Sequence, residues 1–323
     1  MQLTVDGKTV EAKKGQSLRE LVCGLGLDRE QLSQRPLAAR IAGEVFTLNY
    51  IPLRDKDGEG DRPSMRRAMA ASGGNIRLLR IKDSAGRDVY VRTGQFVVFL
   101  ALRQLWPEAV STMDCTLGSS VFISVTGAKD FSVSRLKAQV EQIVAQDIPL
   151  LRHRAKKEEA IARFAAEGQG DKARLLQWRS LEYCSEYSYG DYTDNFYGEM
   201  APSTGYLSVW DILPADGGFL FVYPDELEPD RPAKLSPMPQ FFSVFSEGER
   251  WCRLMDCENV ADLNELTASG KIRELIRVNE ALHEKRFSQV ADMVCSRGAK
   301  AVLLAGPSSS GKTTSAHRLA TQL

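Results

Sequence analysis

The residues best equipped for chemistry form the run Gly306-Pro307-Ser308-Ser309-Ser310-Gly311-Lys312-Thr313. Its pattern, GxxxxGK[ST], is that of a phosphate-binding loop. Two glycines let the backbone curl until successive amide N–H groups point inward, toward the β- and γ-phosphate oxygens of ATP at a helix N-terminus. Lys312 adds a mobile positive charge over those phosphates and is the candidate catalytic residue; the Thr313 hydroxyl is the candidate ligand of the Mg2+ that bridges them. Small serines add further donors, and Thr314 follows on the helix. The candidate nucleotide site is Gly306, Ser308, Ser309, Ser310, Gly311, Lys312, Thr313 and Thr314, with ATP and Mg2+ as cofactors.

Such a loop works only between a strand and a helix. Ala301-Val302-Leu303-Leu304-Ala305 is fully apolar and predicts a parallel strand buried on both faces; Thr314 to Leu323 predicts the helix. Upstream, Val278, Leu282, Val290, Met293 and Val294 stripe a long helix from about Ile276 to Ser296, closed by Arg297-Gly298. Eleven residues follow Lys312. The remaining parallel strands, and the second metal-holding acid, are expected beyond Leu323, so the chain is expected to be C-terminally truncated and, alone, to turn over little.

Nearer the N-terminus, residues 2 to 5 and 9 to 12 alternate around Asp6-Gly7, a hairpin signature. Ser17-Leu18-Arg19-Glu20 has capping-box spacing and opens a short helix; a second strand pair, Ala38 to Ile41 and Val45 to Leu48, turns at Ala42-Gly43-Glu44. A small β-grasp module ending near Arg62 is expected, followed by a polar, Gly-rich connection over 55 to 75. From Arg62 to Arg92 there are eight basic and two acidic residues. A solvated basic face and polyanion contact are both open, the first favoured because no aromatic series is interleaved. Helices are expected over Val97 to Leu105, Arg135 to Ala145 and Lys156 to Ala166. Tyr183, Tyr187, Tyr189, Tyr192, Phe196 and Tyr197 form an aromatic cluster that could line a pocket or pack as core. Five prolines between 224 and 239 mark a linker.

Composition sets the outer limits. The 323 residues are 43% hydrophobic and 26% charged, which is globular, with room for two or three domains. Lys plus Arg (42) equal Asp plus Glu (42), so no overall field draws the chain to nucleic acid. The N-terminus lacks the basic start and apolar run of a signal peptide, and no stretch of about 18 apolar residues spans a membrane. Six cysteines without a CxxC pair, and three histidines, predict reduced thiols in a cytoplasmic protein rather than a zinc site.

Two resemblances complete the reading. Val5-Asp6-Gly7-Lys8 and Ala39-Arg40-Ile41-Ala42-Gly43-Glu44 resemble the TGS domain of threonyl-tRNA synthetases. Residues from about 90 to 225 are similar to the editing-type second domain of that family, through Leu105-Trp106-Pro107-Glu108-Ala109, Gln146-Asp147-Ile148-Pro149-Leu150, Glu158-Glu159-Ala160 and Ala201-Pro202-Ser203-Thr204-Gly205. The family's HxxxH pair would fall on Arg92 and Phe96, and its Cys and His on Phe196 and Met200, so the resemblance implies an editing site without its reactive side chains. With the loop and Glu280-Ala281-Leu282-His283-Glu284-Lys285, the order resembles bacterial uridine kinase-like nucleoside kinases of the phosphoribulokinase/uridine kinase superfamily. The expected organisation is α+β N-terminal domains (1–62 TGS-like, 63–228 editing-like and degenerate), a helical connector (229–298) and the first strand-loop-helix of an α/β P-loop domain (299–323). ATP and a nucleoside are the implied partners. The alternative is a regulatory module binding tRNA or a small ligand through the front domains, without catalysis.

Overall fold

The computed structural model describes residues 2–29, 31–53, 63–190, 192–236 and 239–323. The Gly-rich run Asp55 to Asp61 lies outside them. Cα packing divides the chain into two units, Met1–Ala160 with Leu181–Pro237, and Ile161–Ser180 with Met238–Leu323.

The first unit opens with β1 (Gln2–Val5) and β2 (Lys8–Glu11), paired antiparallel through a tight turn at Asp6 (φ 45°) and Gly7 (φ 79°). Both turn residues take the left-handed conformation that a two-residue hairpin requires. Helix α1 (Leu18–Gly24) starts at a complete capping box: Ser17 Oγ accepts from Glu20 N–H, and Glu20 reaches back to Ser17 N–H at 2.7 Å. Strands β3 (Ala38–Ile41) and β4 (Glu44–Thr47) form the second hairpin, α2 covers Pro63–Ala71, and β5 spans Asn75–Leu79. The sheet order is β2-β1-β5-β3-β4. Its central strand, Asn75–Leu79, lies beyond both the expected module end near Arg62 and the expected connection over 55 to 75. Strand β5 pairs parallel with β1 and antiparallel with β3, and the apolar side of the sheet buries Leu18, Leu21 and Val22 of α1.

Helix α3 (Ser84–Leu105) follows, thirteen residues longer at its N-terminal side than its apolar pattern predicted. Strands β6 (Val110–Thr116) and β7 (Ser120–Thr126), helix α4 (Val133–Ala145) and strand β8 (Arg152–Lys156) lead to α5 (Lys157–Ala166) and α6 (Gly170–Gln177). Then come β9 (Tyr183–Tyr189), β10 (Tyr192–Asn195), a single 3-10 turn at Thr204–Tyr206, β11 (Asp211–Ala215) and β12 (Gly218–Val222). They make two antiparallel sheets, β10-β9-β8 and β11-β12-β7-β6. Gly94 is needed where α3 meets the second of these: a Cβ there would stand 2.2 Å from the Phe221 ring. Mixed α+β architecture is thus the rule throughout this unit.

The second unit is helical. Besides α6 it holds α7 (Pro239–Leu254), α8 (Val260–Ala268), α9 (Ile272–Ser296) and α10 (Lys312–Gln322). Arg174 of α6 ties to Asp262 at 2.8 Å and to Glu265 at 3.1 Å on α8. The stripe predicted on α9 is only half covered, with Val278 and Met293 exposed and Leu282, Val290 and Val294 partly buried. Residues 301–305 form no strand. Leu303 is 96% exposed, so the apolar run that predicted burial lacks a neighbouring ladder among the described residues. A strand exists only by pairing, and apolarity alone cannot make one.

Candidate functional site

Two places qualify, one in each unit. In the first, the positions that the editing-site resemblance singled out, Arg92, Phe96, Phe196 and Met200, lie around Tyr187 and Glu199. Helix α3 presents Arg92 and Phe96, four residues apart on one face, toward the β10-β9-β8 sheet. Phe96 is fully buried, with ring centroids 6.4 Å from Tyr187, 5.5 Å from Tyr192 and 5.9 Å from Phe196. Where hydrolysis would need imidazole, thiol and a water-filled space, four interlocked aromatic rings close the interior. Of the aromatic cluster, Tyr187, Tyr192 and Phe196 pack around Phe96 in tilted and edge-on arrangements, while Tyr183 and Tyr197 are exposed.

The polar groups around these rings are committed to one another. Arg92 Nη1 donates to the Glu199 main-chain carbonyl at 2.5 Å, and burial pushes the Arg92 guanidinium below its ordinary pKa. Arg152 and Glu199, both side chains almost wholly buried, pair at 2.5 Å. Tyr187 Oη donates toward Gly198 O and Glu199 Oε2 and accepts from Met200 N–H at 3.2 Å. Burial first, then the Glu199 charge, pushes the Tyr187 phenol far above its usual value. Gly198 at φ 110° has no room for a Cβ, which would meet Arg92 Cζ at 2.9 Å. Met200 is fully buried and offers only its main chain. Arg152 and Glu199 were not singled out from sequence. Opposite charges 47 residues apart, one on β8 and one in the loop after β10, become a pair only through the tertiary fold, and no local signal marks them.

The matched segments 146–150 and 201–205 serve as architecture. Asp147 accepts from Ser203 Oγ and from Gly205 N–H at 3.2 Å. Ile148 N–H donates to Thr204 Oγ1, and Thr204 N–H returns to Ile148 O, both at 2.9 Å. Leu150 N–H donates to Pro202 O at 2.9 Å. Asn49, beyond β4, donates its amide to Leu150 O at 3.3 Å and Pro202 O at 2.9 Å. Arg35 lies over the Tyr206 ring at 3.8 Å, and Arg19 reaches Asp147 at 3.8 Å. The first sheet's module is therefore fastened to the second domain at its PSTG-like segment.

The second place is the loop 306–314 at the start of α10. Gly306, Ser308, Ser309, Ser310, Gly311, Thr313 and Thr314 are all exposed, and Lys312 is partly so. Ser309 (φ 61°) and Gly311 (φ 78°) are left-handed, which curls the chain into the helix. A Cβ on Gly306 would sit 2.9 Å from Ser310 Oγ, so the curl is tight enough to exclude a side chain there. Lys312 Nζ folds back to donate to Pro307 O at 2.5 Å. Helix α10 is braced against α9 by Arg318 on Glu284 at 3.1 Å and by Gln322 on the same carboxylate at 3.3 Å. The loop residues are thus brought together, while the strand expected to precede them is not formed. Among the described residues no group of three or more His, Cys, Asp or Glu side chains could hold a metal ion, and no helix is long and apolar enough to cross a membrane.

Comparison with known proteins bears on the first place. The chain is similar to the threonine–tRNA ligase of Symbiobacterium thermophilum, 26% identical over 218 residues, which is 66% of this chain and 30% of that protein. It is similar to the Clostridium kluyveri threonine–tRNA ligase at 22% over 218 residues, 66% of this chain and 31% of the relative. A third, from Carboxydothermus hydrogenoformans, is 26% identical over 154 residues, 46% of this chain and 24% of its own. The match therefore spans about a third of the length of these relatives. No protein-family model matches the chain. The N-terminal part is threonyl-tRNA synthetase-like; the comparisons carry nothing that speaks for a nucleoside kinase.

Proposed function

We propose that the front two thirds of this chain is a TGS-like β-grasp and a degenerate editing-like domain acting together as a regulatory module that binds tRNA or a small ligand without catalysis. One observation carries this reading: Arg92, Phe96, Phe196 and Met200 meet in space, and the Phe96, Tyr187, Tyr192 and Phe196 rings fill the volume where a hydrolytic water would stand. With no nucleophile, no base and no cavity among these side chains, deacylation has neither reactant nor room. The similarity to threonine–tRNA ligases supports a tRNA-related origin for the module. The test is twofold. Incubation with seryl-tRNA is expected to release serine no faster than buffer, and filter retention of labelled tRNA or a small ligand is expected to fall with salt. Enzyme-dependent serine release would overturn the reading.

A second reading is favoured by the curled, exposed loop at 306–314. Here the chain is an ATP-dependent nucleoside kinase, uridine kinase-like, moving the γ-phosphoryl group to a nucleoside 5′-hydroxyl. The amides and hydroxyls of Gly306, Ser308, Ser309, Ser310 and Gly311 would cradle the phosphates, Lys312 would swing from Pro307 O onto them, and Thr313 would hold Mg2+ with Thr314 beside it. The excluded Cβ at Gly306 and the left-handed Gly311 fit such a cradle. MgATP binding is expected to be lost in Lys312→Ala; equal binding by wild type and variant would remove this reading.

A further inference from the structure

The sheet β10-β9-β8 has a second property on the side that faces α3. Alternation places Arg152, Arg154 and Lys156 on one side of β8. Register sets them opposite Tyr187, Ser185 and Tyr183 of β9, with Asp194 of β10 beyond Tyr187. At the inner end this side is closed by the aromatic rings, and Arg152 is held by Glu199. The outer end is open. The Arg154 guanidinium lies 4.4 Å from the Tyr183 ring centroid, Tyr183 is 36% exposed and Lys156 is exposed. Among the described residues neither Arg154 nor Lys156 has a carboxylate partner. Arg92 enters from α3 and donates to a main-chain carbonyl, with Asp88 one turn away as the nearby acid.

We propose that this basic and aromatic edge seats a free nucleoside monophosphate, its phosphate held by Arg154 and Lys156 and its base against Tyr183. The proposal rests on the binding-module reading and names its ligand. Arg154 and Lys156, side by side on one face of β8 and without a carboxylate partner among the described residues, are matched to an external anion. A phosphomonoester carries close to two negative charges and three acceptor oxygens, matching a guanidinium fork and an ammonium together. A ring beside the cations adds a stacking surface for a flat base. A long RNA, in contrast, draws its affinity from a series of phosphate contacts along an extended basic surface, and the chain's zero net charge supplies no field for it.

Calorimetric titration of the 323-residue chain with uridine and adenosine 5′-monophosphates, and with inorganic phosphate, tests this. Binding is expected in wild type and to persist in Lys312→Ala, which silences the loop. Arg154→Ala is expected to weaken the monophosphates roughly tenfold, and so is the exposed Lys156→Ala, whose surface position keeps the fold intact. Tyr183→Ala should weaken the nucleotides and leave inorganic phosphate unchanged. Absence of monophosphate binding at millimolar concentration, or binding abolished by Lys312→Ala and untouched by Arg154→Ala, would overturn the site. Tighter, Arg154-dependent binding of a single-stranded oligoribonucleotide would reassign it to RNA. None of these outcomes depends on serine release, so the site can fail while the non-catalytic reading stands.

Discussion

Phe96 stands where a histidine would be needed and now holds a core together. Its ring touches three others, so Phe96→Ala removes contacts that neighbours cannot remake and leaves a cavity; a loss of about 3–5 kcal/mol is expected from urea unfolding. Restoring Phe96→His is expected to destabilise as well, because an imidazole would enter a site without a partner for its nitrogens. Tyr187 adds a pH signature. Its phenol is raised above the ordinary value of 10.0 by burial and by Glu199. The folded state favours the neutral form, so this stabilisation is complete below pH 10 and is lost as pH rises beyond it. Tyr187→Phe is expected to flatten the decline of melting temperature between pH 9 and 11. A wild-type decline that survives unchanged in the variant would assign it to other groups, Tyr90 foremost, whose buried phenol is raised in the same way.

At the scale of elements, what could be read from sequence was what is local. Asp6-Gly7 announces its hairpin because both residues tolerate the positive φ that the turn imposes, while at Ala42-Gly43 only the glycine does. Ser17 and Glu20 announce α1 because both halves of the cap lie within four residues. Ser17→Ala is expected to cost about 1 kcal/mol in chemical unfolding, and Ser17→Asp to retain most of it. Strand β5 was illegible for the opposite reason. Its sequence, Asn75-Ile76-Arg77-Leu78-Leu79, is short, and its central place depends on partners some seventy residues earlier in the chain and some forty earlier. The P-loop strand failed in the other direction: Ala301 to Ala305 has the composition of a buried strand, yet with no ladder beside it the chain leaves Leu303 in solvent. In the candidate loop the left-handed turn at Gly311 is written in the sequence while that at Ser309 is not, and at Phe96 and Phe196 the side chains can be read but not their packing with Tyr187 and Tyr192.

For the molecule as a whole, the segments 146–150 and 201–205 act as fasteners within the first unit. Asp147 and the PSTG-like run hold two chain segments together, and through Asn49, Arg19 and Arg35 they fasten the first sheet's module to the rest of its unit. The two Asn49 bonds go to partly buried main-chain carbonyls, so removing the amide leaves those carbonyls unsatisfied rather than a simple gap. Asn49→Ala is therefore expected to cost about 1–3 kcal/mol. Combined with Arg35→Ala, which removes the cation stacked on Tyr206 and its bond to Gly205 O, it should do more than lower stability. Differential scanning calorimetry of the wild type is expected to show residues 2–53 and 75–79 melting together with the α3–β12 domain in one transition. In the double variant the first sheet's module should melt earlier, as a separate peak, while Tyr187 and Phe96 keep the second domain's transition in place. A single peak shifted as a whole would mean that the apolar contact between the two, and not this polar clasp, makes them one cooperative unit.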